Sequence, residues 1–181
     1  MSARPWILVD FDGVLNIQVP GWRLEELARL GWRTGLARLD GHEAERVCFN
    51  PGHGQWLTTL AREAGARLAW ATMREPVARS RCAPLAGLPE MPVIPVLSAM
   101  FHGGAATKAE SVVRWTRGAP FAWFEDLADE CEAADELAGS QPHLMVQVDP
   151  REGLTARDVQ DARDWLASLG REHVPGGEPL R

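Results

Sequence analysis

A short apolar run, Trp6-Ile7-Leu8-Val9, stops abruptly at Asp10-Phe11-Asp12-Gly13. Consecutive apolar residues that end in charge read as a strand covered on both faces, as in parallel sheets. The pattern recurs along the chain. Arg67–Ala71 ends at Thr72, Phe121–Phe124 at Glu125-Asp126, and Leu144–Val148 at Asp149. Helical periodicity fills the intervals. Gln55–Ala64 places Trp56, Leu57, Leu60, Ala61 and Ala64 on one face and closes at Gly65. Pro76 opens a helix towards Cys82, and Thr107-Lys108-Ala109-Glu110 is a capping box for a helix to about Thr116. Ala128–Leu137 is helical, and Thr155-Ala156-Arg157-Asp158 opens the last helix. Val93–Leu97 reads as a further strand that Pro95 confines to an edge. Strands alternating with helices predict an α/β fold, a doubly wound, mostly parallel sheet with helices on both faces. Ligands in such sheets bind beyond the carboxyl ends of the strands, where Asp10, Thr72, Glu125, Asp126 and Asp149 collect.

The chain of 181 residues suits one domain, taken as 1–174. Residues 16–50 break the alternation, and Asp40-Gly41 between Thr34–Leu39 and Glu43–Phe49 predicts a small flap hairpin. The Gly/Pro-rich stretch 175–181 is expected to be a flexible tail. A formal net charge of −6 builds in no overall attraction to nucleic acid, though a local basic patch remains compatible with it. Cys48, Cys82 and Cys131 lack CxxC spacing and are expected to be reduced and buried. The apolar run before Asp10 is too short for a signal-peptide core, and no stretch reaches a bilayer-spanning length. A soluble, cytoplasmic protein with no membrane partner is expected.

Asp10 and Asp12 are two carboxylates placed as a buried strand ends; if both remained in the strand they would share a face. Such a pair can divide phosphoryl transfer, one attacking phosphorus and the other protonating the leaving oxygen and then activating water. Gly13 permits a sharp turn beside them. A solvated Asp-Gly turn would look the same. A Thr72 hydroxyl at a strand end can donate to a phosphate oxygen. Lys108, the only lysine beside 18 arginines, enters a helix where cation and helix dipole could together hold an anion. Glu125 and Asp126 at the end of an apolar strand suit a hard cation such as Mg²⁺, with Asp129 and Glu130 as rival ligands. Acid enrichment at a helix start would produce the same sequence.

The order and strand-end placement of Asp10-Phe11-Asp12-Gly13-Val14, Thr72, Lys108 and Glu125-Asp126 resemble the four motifs of the haloacid dehalogenase-like (HAD) superfamily. The resemblance spans about Trp6 to Val148 and implies a Rossmann-like fold and Mg²⁺. It implies Asp10 as nucleophile and Asp12 as general acid/base. Asp10, the Asp12 carbonyl and Asp126 would hold the metal, and Thr72 and Lys108 the phosphate. Dehalogenase members lack a second Asp at the position of Asp12, so the chain looks like the phosphatase branch. Glu125 stands where many members have Asp, which places metal ligation by Glu125 or by Asp126 in question. Asn50-Pro51-Gly52-His53-Gly54, Trp70-Ala71-Thr72 and Val148–Thr155 also look like a subgroup that includes the phosphatase-like domain of RNA-repair proteins.

Neither gap between motifs has room for a large cap domain. An open site could admit a phosphorylated small molecule or a polynucleotide end. Gly13, Met73, Arg74 and Arg33 are candidate substrate contacts, and Trp22, Arg23, Trp32 and Arg38 of the flap could stack on a base or pair with a second phosphate. His53 and His102 could line the rim. The competing functions are a HAD-like binding module without catalysis and phosphotransfer to an acceptor other than water. A metal-dependent glycosyltransferase is disfavoured because its DxD would follow a longer nucleotide-binding stretch.

Overall fold

In a computed structural model, residues 3–39, 43–96 and 108–169 are described. Four parallel strands form the central sheet in the order β4-β1-β5-β6: β1 (Trp6–Val9), β4 (Arg67–Trp70), β5 (Phe121–Glu125) and β6 (His143–Gln147). The expected Rossmann-like α/β architecture is present, with a small antiparallel hairpin and, among the described residues, no large cap. The hairpin pairs β2 (Arg33–Ala37) with β3 (Glu45–Phe49); its Asp40-Gly41 turn lies outside the described residues. A short helix, α1 (Leu24–Arg29), precedes the hairpin and was not expected from the sequence.

Strand alternation sorts the core into two layers. Ile7, Val9, Trp70, Ala122 and Phe124 face α2 (Gly52–Glu63), α4 (Ala83–Ala86) and α7 (Ala156–Leu169). Leu8, Ala69, Phe121 and Trp123 face α5 (Lys108–Thr116) and α6 (Ala128–Ala138). Trp70, Trp123, Phe121 and Phe124 are fully buried. Removing a side chain of that size from water contributes about 2–3 kcal/mol each, so the sheet holds its register firmly. Asp10 and Glu125 follow Leu8 and Trp123 by two residues and therefore emerge on the α5–α6 side of the sheet.

Two expectations are corrected. Val93–Leu97 forms no strand within its described part: Val93 makes only an isolated parallel bridge to Trp70, and Pro92 and Pro95 limit the donors a ladder needs. Trp56 is 38% exposed and lines a 340 Å³ pocket between α2 and α7, while Leu57, Leu60 and Ala61 carry the buried face of α2. The expected helix from Pro76 towards Cys82 is present as α3 (Glu75–Val77), a π turn (Ala78–Cys82) and α4, with Pro76 in the first turn of α3 and Pro84 in that of α4. The expected thiols are all buried and form no disulfide with one another. Thr107, the tail from 175, His102 and Leu97 lie outside the described residues.

His53 is buried between Trp32 and Trp56, each ring 5.0 Å away, so it supports the flap's base and does not line a rim. Burial pushes its imidazole down to about 4 from an ordinary 6.5. Between those values the unfolded chain binds a proton that the folded chain refuses. The stability that neutral His53 provides is complete above pH 6.5 and is lost as pH falls towards 4. Urea unfolding should show about 2–3 kcal/mol more loss between pH 7.5 and 4.5 in the wild type than in His53→Phe. Equal losses in the two proteins would assign the acid sensitivity elsewhere.

Candidate active site at the carboxyl end of the sheet

β1 and β5 are neighbours, and one step beyond the Val9–Phe124 pair lie Asp10 and Glu125. Lys108, the first residue of α5, reaches both. Its Nζ is 2.6 Å from Asp10 Oδ2 and 2.6 Å from Glu125 Oε2. All three side chains are buried, with Lys108 at 3% and Glu125 at 0% exposure. The other Asp10 oxygen accepts a 2.6 Å hydrogen bond from Phe11 N. Glu125 Oε1 accepts from Leu127 N at 3.2 Å. Both oxygens of Asp10 are thus directed by donors, as a preorganised anion requires.

Charge in this cluster is unbalanced. Burial works against the Lys108 ammonium, but the Asp10 and Glu125 carboxylates outweigh it and raise its pKa. Burial and then Asp10 push Glu125 up to about 8, against the pull of Lys108. Burial and Asp10 likewise raise Asp126. One lysine does not neutralise three carboxylates, and a proton on Glu125 or a second cation would relieve the remainder.

Asp10, Glu125 and Asp126 each offer an oxygen, all within 4.8 Å of one another. An all-carboxylate donor set suits a hard divalent cation. Gly13 makes the space: at φ +76° its absent Cβ would lie 2.2 Å from Asp126 Cγ. Its role is to let the Asp126 carboxylate close against the loop after β1. Asp12 is not in this carboxylate cluster, because the strand ends at Val9 and the chain turns at Asp12–Gly13. The two aspartates therefore do not share a strand face. Asp12 Oδ1 accepts from Asn16 Nδ2 at 2.8 Å, and Oδ2 from Arg74 Nε at 2.7 Å. Asp12, Gly13 and Asp126 line a 290 Å³ pocket with Gln18, Pro150 and Arg151.

The family described as "HAD domain in Swiss Army Knife RNA repair proteins" matches residues 6–159. The chain belongs to this family. A search among curated proteins returned no match. Among solved structures, a hypothetical protein from Xanthomonas campestris is 15% identical, with 94% of this chain and 88% of that chain covered at a TM-score of 0.43. Membership supports a hydrolase-like enzyme of phosphoesterase type, for which a divalent metal is typical. Among the described residues, no helix is long and apolar enough to cross a membrane.

Of the residues singled out in the sequence of this HAD domain, Asp10, Lys108, Glu125 and Asp126 meet directly. Thr72 is buried at the end of β4, where its Oγ1 accepts from Arg74 N at 3.2 Å. Met73 is 63% exposed beside it, and Arg33 opens β2 with an exposed side chain outside the ion-pair network. Trp32 is buried against Ile17, Leu27 and Cys48, which removes it from base stacking, whereas Trp22 is 79% exposed. Glu130 is not a rival ligand: its carboxylate accepts from Lys108 N at 3.0 Å and Ala109 N at 2.7 Å, capping α5 from α6. Asp129 is exposed in the first turn of α6. Sequence reasoning missed Asn16 and Glu45, since neither lies in a motif. Asn16 had only its closeness to Asp12 as a signal, and Glu45 had none.

Gly13→Ala should force Asp126 away from the cluster and strain a left-handed turn. Titration calorimetry with Mg²⁺ or Mn²⁺ should then show affinity weaker by about 10–100-fold, the range for a disturbed ligand support. Unchanged affinity would remove Asp126 from the ligand set.

Proposed function

We propose that this chain is a magnesium-dependent phosphomonoester hydrolase that forms an aspartyl phosphate on Asp10 and acts on a nucleotide or polynucleotide end phosphate. The observation that carries the reading is the Asp10 carboxylate, buried yet facing the pocket end of the sheet, with Lys108 Nζ at 2.6 Å and Phe11 N at 2.6 Å. A buried carboxylate oriented by two donors is poised to attack rather than to hold the fold.

An Asp10 oxygen attacks phosphorus, and the bond to the ester oxygen breaks as Asp12 gives that oxygen a proton. Water then attacks the aspartyl phosphate and gives its proton to Asp12, and the break of the Asp10–phosphorus bond restores the carboxylate and releases phosphate. Lys108 and Thr72 bind phosphate oxygens. Mg²⁺, held by Asp10, Asp126 and the Asp12 carbonyl, would supply charge neutralisation of the transferring group. Glu125 serves first as the counter-ion that fixes Lys108, and its burial leaves Asp126 as the acid facing the pocket. Uncatalysed phosphomonoester hydrolysis is among the slowest reactions, so the site must remove on the order of 20 kcal/mol of barrier. In-line positioning and charge stabilisation are the available means.

The RNA-repair context of the family supports an end phosphate as substrate. A site without a large cap, with Trp22 exposed on the flap and Arg151 on the pocket wall, leaves room for a polymer to approach.

Wild-type protein should hydrolyse p-nitrophenyl phosphate and a 3′- or 5′-phosphorylated oligoribonucleotide with Mg²⁺ and stop with EDTA. Asp10→Asn should abolish turnover, and Asp12→Asn should slow hydrolysis of the oligonucleotide by about 10²–10⁴-fold. Activity that survives in Asp10→Asn would rule out the aspartyl route.

A further inference from the structure

Both oxygens of the Asp12 carboxylate are held by residues that are themselves fastened to one strand of the flap. Arg74 donates from Nε to Asp12 Oδ2 at 2.7 Å, while its two terminal nitrogens form a bidentate pair with Glu45 Oε1 and Oε2 at 2.7 and 2.8 Å. Asn16 donates from Nδ2 to Asp12 Oδ1 at 2.8 Å, while its Oδ1 accepts from Cys48 N at 2.9 Å. Glu45 and Cys48 both belong to β3. The backbone reinforces the second hold, since Ile17 N donates to Cys48 O at 2.9 Å and Asn16 bridges to Phe49.

The geometry points to β3 as the element that positions Asp12, with Arg74 and Asn16 as positioning residues. This inference rests on the hydrolase reading above and assigns the flap hairpin a task within it. A carboxylate has about four lone-pair sites, and two of Asp12's are used by these holds, which leaves sites for a leaving oxygen and then for water. Side chains at a chain turn otherwise rotate freely: Asp12 is 41% exposed and lies outside any helix or strand. A planar guanidinium gripped on its far edge by a second carboxylate transmits position better than a flexible ammonium. The Arg74 side chain is only 17% exposed, so this pair is shielded more than an ordinary surface bridge. Arg74 therefore acts through Asp12 and not as a direct phosphate ligand.

The two roles predict different kinetics. A misplaced general acid harms departure of an alkoxide far more than departure of a nitrophenolate, which leaves without a proton. A lost phosphate ligand harms both esters alike and shows in KM. Arg74→Ala, Arg74→Lys and Glu45→Gln should be compared with wild type on p-nitrophenyl phosphate and on a 3′-phosphorylated oligoribonucleotide. Thermal melting serves as the folding control. For Arg74→Ala, kcat/KM on the oligonucleotide, which reports the first transfer and not the water step common to both esters, should fall by about 10²-fold, the usual scale for a displaced catalytic group, with a much smaller fall in kcat/KM on the nitrophenyl ester. Glu45→Gln should shift the same ratio in the same direction by a smaller factor, and Arg74→Lys should not restore it. If Arg74→Ala does not fold, Glu45→Gln decides the matter alone. Equal losses of kcat/KM on both esters would overturn the positioning role while leaving the hydrolase intact. A wild type inactive on both esters would overturn the hydrolase reading, and the inference with it.

Discussion

The ion cluster of Asp10, Lys108 and Glu125 sets the terms for everything around it. Charges removed from water cost several kcal/mol each unless their partners are close and well oriented. Here the 2.6 Å contacts exist only because β1 and β5 are adjacent and parallel, so that two acids leave the sheet side by side on one face. They also require α5 to begin at Lys108, with its first amides held by Glu130. Loss of the lysine would strand two buried carboxylates, which makes strand order, helix start and cluster one interdependent unit. A fold selected for stability alone would fill this space with apolar side chains. The proposed aspartyl mechanism would account for the charges, since it needs an anion held in place.

The fold was written in the sequence where burial is total. Trp6–Val9 and Phe121–Phe124 are apolar on both faces because helices cover both faces, and a run of that kind has few other solutions. The same logic pointed to the strand ends as the place to look, and Asp10, Glu125 and Asp126 do meet there. It failed where several weak signals compete. Helix α1 is exposed apart from Leu27, so its periodicity carries little. Val93 lies at a sheet edge among prolines and bonds too sparsely to make a strand. Trp56 looked like core because of its size, but helix spacing alone does not say how wide the buried stripe is.

Contacts across long sequence separations were the other loss. Glu130 read as a metal ligand from its position after Glu125-Asp126, but caps a helix that starts 22 residues earlier. Gly13 reads from the sequence as a turn residue beside the aspartates, and the side chain it makes room for is that of Asp126. In both cases the partner came from another element. Motif spacing encodes the first kind of information and not the second.

The same limit explains why the flap was taken for a place of substrate contact. Its aromatic and basic residues invite that view, and Trp22 remains exposed. Yet the hairpin's firmest ties run inward, from Glu45 to Arg74 and from Cys48 to Asn16, both ending on Asp12. On the proposed mechanism, a site without a large cap would still have to keep its acid/base group in one place while the substrate enters from solvent. A two-stranded hairpin is marginal on its own, so it gains order by packing Val47 and Cys48 into the domain. That packing lets a surface ribbon act as a fixed frame. In the proposed hydrolase, that frame would give Asp12 the rigidity that proton transfer needs.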